Sequence, residues 1–106
     1  MKNILFVCSR IKWRSLTAET IYKNRSEFNV KSAGTESSAR IVINSKMIAW
    51  ADLIFVMEKH HKEKLLLKFP SETENAEIII LEIPDIYKFM DKELIDEIKM
   101  SVSGYL

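Results

Sequence analysis

The sequence predicts an α/β fold, a three-layer sandwich with helices on both faces of a four-stranded parallel sheet, formed as one domain over residues 1–106. Three observations predict it. Short apolar runs recur at Ile4-Leu5-Phe6-Val7, at Leu53 to Met57 and at Ile78-Ile79-Ile80, and they are continuous rather than alternating, as in strands buried on both faces. Segments of helical character lie between these runs, so strands and helices alternate. Glycine and proline number only two each, which leaves little chain for linkers or a domain boundary.

The elements follow in order. Ile4 to Val7 is a buried strand, and Ser15 to about Asn24 a helix with Ala18, Ile21 and Tyr22 on one side. Val30 to Ala33 is a short second strand closed by Gly34-Thr35, the stretch from Glu36 to Ile43 has no clear periodicity, and a short helix covers about Ser45 to Ala51. Leu53 to Met57 is the third strand, and Lys59 to Lys68 a helix ended by Phe69-Pro70. Glu77 to Leu81 is the fourth strand, and Ile83 to Phe89, with Pro84 inside it, is a loop. Leu94, Ile95, Ile98 and Val102 recur at helical spacing, so a last helix runs from about Asp91 to Ser103 with Gly104 as its stop. Right-handed crossovers in such a sheet gather the loops after the strands along one edge, where these folds bind ligands. Cys8, Gly34-Thr35, Glu58 and Pro84-Asp85 therefore meet there.

Composition excludes several function classes. An apolar fraction of 47% with 29% charged residues describes a globular domain, and a net charge of +1 gives no basis for bulk attraction to nucleic acid or a membrane. The one cysteine, Cys8, cannot form an internal disulfide or a multi-thiolate metal site, which fits a reducing cytoplasmic setting. The apolar run after Lys2 is too short for a secretory signal, and no segment reaches membrane-spanning length. No cofactor is expected.

Cys8 sits where a nucleophile is wanted, directly after a buried strand. Five residues separate it from Arg14-Ser15, and a helix starts there. Unpaired N–H groups and the positive dipole end make a helix N-terminus an anion site. The same field, with Arg10, Lys12 and Arg14, favours the thiolate form of a cysteine beside it.

Cys8 through Arg14-Ser15 resembles the signature of the low-molecular-weight protein tyrosine phosphatases. Lys31-Ser32-Ala33-Gly34-Thr35 is similar to that family's second-strand motif, and Ala51-Asp52-Leu53-Ile54-Phe55-Val56-Met57 to its third strand. Ile83-Pro84-Asp85-Ile86-Tyr87 falls where the family carries its acid loop, so the likeness spans most of the chain in order. The chain departs from the family pattern at Arg10-Ile11, where Gly-Asn is usual, at Trp13 in place of a second cysteine, and at Leu16 in place of a proline. Its acid loop also reads Pro-Asp rather than Asp-Pro. A β-branched Ile11 resists the left-handed backbone that the family's Asn adopts.

The resemblance implies hydrolysis of phosphotyrosine or a related phosphomonoester through a phosphocysteine. Cys8 is then the nucleophile, Arg14 the clamp on the equatorial oxygens and Asp85 the general acid, with Glu82 and Asp91 as the neighbouring acids that could take that role. Ser9, Arg10, Ile11, Lys12, Trp13, Arg14 and Ser15 form the phosphate-binding loop, with Tyr87 and Trp13 at its rim. The implied partner is a phosphorylated protein or a small aryl phosphate. Two alternatives share the fold: a phosphate-binding module without turnover, and an arsenate reductase that borrows an external thiol. His60 and His61, adjacent on a Lys-rich helix, read as solvent-facing residues, since neighbouring positions do not share a helix face.

Overall fold

The structure is a computed structural model that describes residues 2–10 and 13–106. Its elements are β1 (Lys2–Cys8), α1 (Arg14–Tyr22), β2 (Phe28–Gly34), α2 (Ser45–Trp50), β3 (Leu53–Val56), α3 (Lys59–Lys68), α4 (Pro70–Thr73), β4 (Ile78–Ile80) and α5 (Lys92–Val102). The four strands form one parallel sheet in the order β2-β1-β3-β4. Strand β1 is central, and Ile4, Leu5, Phe6 and Val7 are fully buried because both faces of the sheet are covered. Phe6 and Phe55 stack on the side of α1 and α5, where Leu94, Ile98 and Val102 pack. Leu5, Val7, Ile54 and Val56 face the opposite layer with Ile48 and Leu65. At roughly 1.5–3 kcal/mol per fully buried large apolar side chain, β1 and its inner neighbour β3, whose Leu53 to Val56 are also all buried, are the strands the fold can least give up.

The expected fold class therefore stands, and the differences are local. β2 begins at Phe28 rather than Val30, because its first half is an edge strand with alternating exposure and carries a weaker signal than a buried run. Pro70 does not only end α3: it sits in the first turn of α4, where a missing N–H costs nothing. The last helix ends at Val102 with Ser103 as its cap, so Gly104 lies just past the end as expected, without a positive φ. The stretch without clear periodicity, 36–43, folds back on Gly34, whose N–H donates to the Ile41 carbonyl while Ile43 N–H donates to the Gly34 carbonyl.

Gly34 is required by space. A Cβ there would lie 2.6 Å from the Ser9 carbonyl oxygen and 2.6 Å from the Ala39 Cβ. We expect Gly34→Ala to cost about 1–3 kcal/mol, as overpacking of a tight site does. A urea midpoint equal to wild type would show that the Ser9 backbone gives way without cost.

Candidate active site

Each strand delivers its residues to the carboxyl edge of the sheet. β1 ends at Cys8, whose Sγ lies 2.9 Å from Ser15 Oγ in the first turn of α1. Cys8 is 3% exposed and Ser15 fully buried, so the thiol sits at the base of a recess. That recess is a cavity of about 550 Å³ lined by Cys8, Ser9, Arg10, Trp13, Arg14, Glu36 and Asp85. The first turn of α1 holds no acidic residue, and Arg14 is buried there at 3% exposure. A buried cation at the positive end of a helix is unfavourable unless negative charge meets it.

Three groups meet Arg14. Its Nη1 donates to Glu58 Oε2 at 2.5 Å and to the Ile83 carbonyl at 2.9 Å, and its Nε lies 3.8 Å from Asp85 Oδ1. Glu58 follows β3 at the sheet edge. Burial alone raises its carboxyl, but the hydrogen bond and charge of Arg14, with help from His60, hold it below the usual carboxylate range. Ile83 reaches Arg14 because Glu82 takes a positive φ of 57°, turning the chain after β4 over the end of α1. A non-glycine residue seldom adopts that conformation, so the turn is a strained one.

Ser9 is held from two sides: its Oγ is 2.9 Å from His61 Nε2, and its carbonyl accepts from Glu36 N–H at 2.9 Å. Thr35 N–H likewise donates to the Cys8 carbonyl at 2.9 Å. Glu36 reaches the cavity rim and binds Lys64 Nζ at 2.7 Å, which draws its carboxyl below the usual range.

Cys8, Ser9, Arg10, Trp13, Arg14, Ser15 and Asp85 are thus brought together. Tyr87 is not: it is half-buried against the core beside α5, where burial and then Glu97, Glu93 and Asp91 raise its hydroxyl above the ordinary range. Ile11 and Lys12 lie outside the described residues, and so does the backbone conformation in question at Ile11. Glu58 arrives at the sheet edge where the strand order placed it, now paired with Arg14, while Glu36 and His61 are neighbours of the site that sequence reasoning missed. His61, expected at the surface, is fully buried, while His60 is exposed. A signal existed in the spacing of His61 and Leu65, the two buried residues of α3, four positions apart.

Glu58, His60 and His61 bring ligand atoms within 4.8 Å of one another. That cluster does not suit a cation, because both ring nitrogens of His61 are engaged and Glu58 is paired with Arg14.

Burial is the main force on His61. With His60, Arg14 and Lys64 it outweighs Glu58 and pushes the imidazole pKa down to about 3. An unfolded chain takes up this proton near pH 6.5, whereas the folded one does not until about pH 3. Stability is therefore whole above pH 6.5 and falls as the pH drops through that window, by up to about 1.4 kcal/mol per pH unit. We expect the unfolding free energy at pH 5 to lie about 2 kcal/mol below its value at pH 7, and His61→Gln to flatten that slope. Equal pH slopes for the two proteins in urea titrations would contradict this.

No protein-family model matches the sequence, and no curated protein matches it. Solved structures do match. An arginine phosphatase, YwlE from Geobacillus stearothermophilus, superposes with a TM-score of 0.75 at 21% identity, over 97% of this chain and 89% of that one. The tyrosine phosphatase Wzb from Escherichia coli K30 gives 0.77 at 19% identity, over 98% and 95%. A low-molecular-weight protein tyrosine phosphatase from Streptococcus pyogenes gives 0.76 at 15% identity, over 100% and 94%. Among the described residues no helix is long and apolar enough to cross a membrane. The resemblance carried by the loop from Cys8 to Ser15 thus extends to the whole architecture, and this chain has the fold of the low-molecular-weight protein tyrosine phosphatases.

Proposed function

We propose that this chain is a cysteine-dependent phosphatase acting on phosphotyrosine or a related phosphomonoester. The observation that carries the reading is the Cys8–Ser15 contact of 2.9 Å at the base of a cavity that also exposes Arg14 and Asp85. Cys8, as its thiolate, attacks phosphorus, and the bond to the leaving oxygen breaks with its electron pair on that oxygen. Asp85 gives the leaving group its proton. Water then attacks the phosphocysteine, Asp85 takes the water's proton, and sulfur departs as a thiolate that the Ser15 hydroxyl stabilises. Splitting the displacement in two is the advantage of covalent catalysis.

Arg14 supports both steps. Glu58 and the Ile83 carbonyl hold Nη1, which leaves the Nε–Nη2 edge, beside Asp85 at 3.8 Å from Nε, to take two equatorial oxygens as a planar fork once substrate enters. Backbone N–H groups at the start of α1 add to it where charge develops. Trp13, beside the cavity, offers a flat wall to an aromatic leaving group.

A second reading has its own observation. Glu36 and Asp85 are both carboxylates on the cavity wall, which suits a cationic leaving group, and one protein of similar fold is an arginine phosphatase. Wild-type protein assayed with para-nitrophenyl phosphate, phosphotyrosine and phosphoarginine, with vanadate as competitor, tests both. Vanadate-sensitive release of phosphate supports the proposal, and the preferred substrate decides the class. No turnover with vanadate still bound would leave only an oxyanion-binding module. Asp85→Asn is expected to slow aryl phosphates with poor leaving groups by about 10²- to 10⁴-fold and activated ones far less. Equal losses across leaving groups would remove Asp85 from the acid role.

A further inference from the structure

We propose that His61 is a positioning residue of the phosphate loop, fixing Ser9 beside the nucleophile through its Nε2–H. The proposal rests on the reading of that loop as an oxyanion site. The tautomer is dictated by geometry. Glu58 N–H lies 3.0 Å from His61 Nδ1, and a backbone N–H can only donate, so Nδ1 is the acceptor. The hydrogen of the neutral ring then sits on Nε2, which donates to Ser9 Oγ at 2.9 Å.

The contact has no slack. Glu58 and His61 form a reciprocal box at the start of α3, in which each side chain bonds the other's backbone N–H. The ring can neither rotate away nor flip without breaking that box, and it is fully buried. The same pair also reaches outward: Glu58 to Arg14 and His61 to Ser9. One turn of helix therefore grips the phosphate loop at the residue after the nucleophile and at its terminal arginine. Ser9, with its oxygen accepting from His61, keeps its own hydroxyl hydrogen for a further acceptor. Its backbone is held in place by Glu36 N–H. Preorganisation of this kind matters because N–H donors aimed at a transition state lose their effect when displaced by about an ångström.

Two side chains separate a positioning role from a merely structural one. His61→Asn places an amide oxygen near the Nδ1 position, retaining the box with Glu58 but not the reach to Ser9. His61→Gln places an amide N–H near the Nε2 position and can restore that reach. Imidazole ¹⁵N–¹H spectra of wild type and Ser9→Ala, followed by kcat, KM and vanadate affinity of the His61 variants alone and combined with Ser9→Ala, form the test. We expect the Nε2–H tautomer from pH 5 to 8, with a shift of that nitrogen in Ser9→Ala. His61→Asn should lose about tenfold in kcat/KM and in vanadate affinity, the size of one net hydrogen bond. His61→Gln should recover most of the loss, and His61→Asn should add nothing in the Ser9→Ala background. An Nδ1–H tautomer, equal behaviour of the Asn and Gln variants, or additive losses would overturn the proposal. If wild type neither turns over nor binds vanadate, the phosphatase reading fails; the tautomer and its response to Ser9→Ala still decide the His61–Ser9 contact.

Discussion

Cys8→Ser is expected to abolish turnover, by about 10⁴-fold or more, while leaving oxyanion binding within a few-fold of wild type. The two halves of this expectation come from different atoms. Turnover needs a nucleophile that ionises at the pH of the reaction, and a serine hydroxyl does not. Binding needs the Arg14 fork and the N–H groups at the start of α1, which the substitution leaves alone. Cys8 is 3% exposed and its sulfur contacts Ser15 Oγ, so the smaller hydroxyl fits without clash. Hydrolysis of para-nitrophenyl phosphate beside calorimetric titration with phosphate reads both halves. Retained activity would direct attention to Ser9 or Ser15 and end the phosphocysteine scheme. Loss of binding together with activity would mean that the thiol shapes the recess rather than reacting in it.

Arg14→Lys has the next largest expected effect. One ammonium on a flexible stem cannot serve Glu58, the Ile83 carbonyl and a phosphate together, whereas a guanidinium held by the first two has a second edge for the third. The positive charge is conserved, so Glu58 keeps a partner and the fold stands. We expect kcat to fall by about 10²- to 10³-fold, the usual loss when a preorganised donor to the transition state is removed. Vanadate affinity should fall with it while the thermal midpoint moves little. A large drop in the midpoint with unchanged kcat would make Arg14 a structural cation for Glu58 and no clamp.

Much of the architecture was legible before the structure. The runs Ile4 to Val7 and Leu53 to Met57 announced buried strands because parallel sheets covered on both faces demand continuous apolar chain. Edge strand β2 was legible only in its last residues, since half of its side chains meet solvent. The site divides in the same way. Cys8, Arg14 and Ser15 lie on one short segment, so spacing alone links them, and Asp85 follows from where strand ends gather. Glu58, like Asp85, follows from where strand ends gather, but its pairing with Arg14, and the contacts that Glu36 and His61 make with Ser9, exist only once tertiary packing aims them. His61 shows the reason most sharply. Adjacent residues on a helix point about 100° apart, so a pair of neighbouring histidines can have one in solvent and one in the core.

The grip on Arg14 and Ser9 has a consequence for how the site comes into being. Its contacts join residues 44, 52 and 69 positions apart: Arg14 to Glu58, Ser9 to His61, and Arg14 to Ile83. Closing such long intervals is entropically slow, so they are late events in folding. The loop, though written in the first fifteen residues, is expected to gain these contacts only after β3, α3 and the turn past β4 have docked. During refolding, oxyanion binding should therefore appear with the final phase, after the burst in helical signal, and a fragment ending before Glu58 should carry the signature without the site.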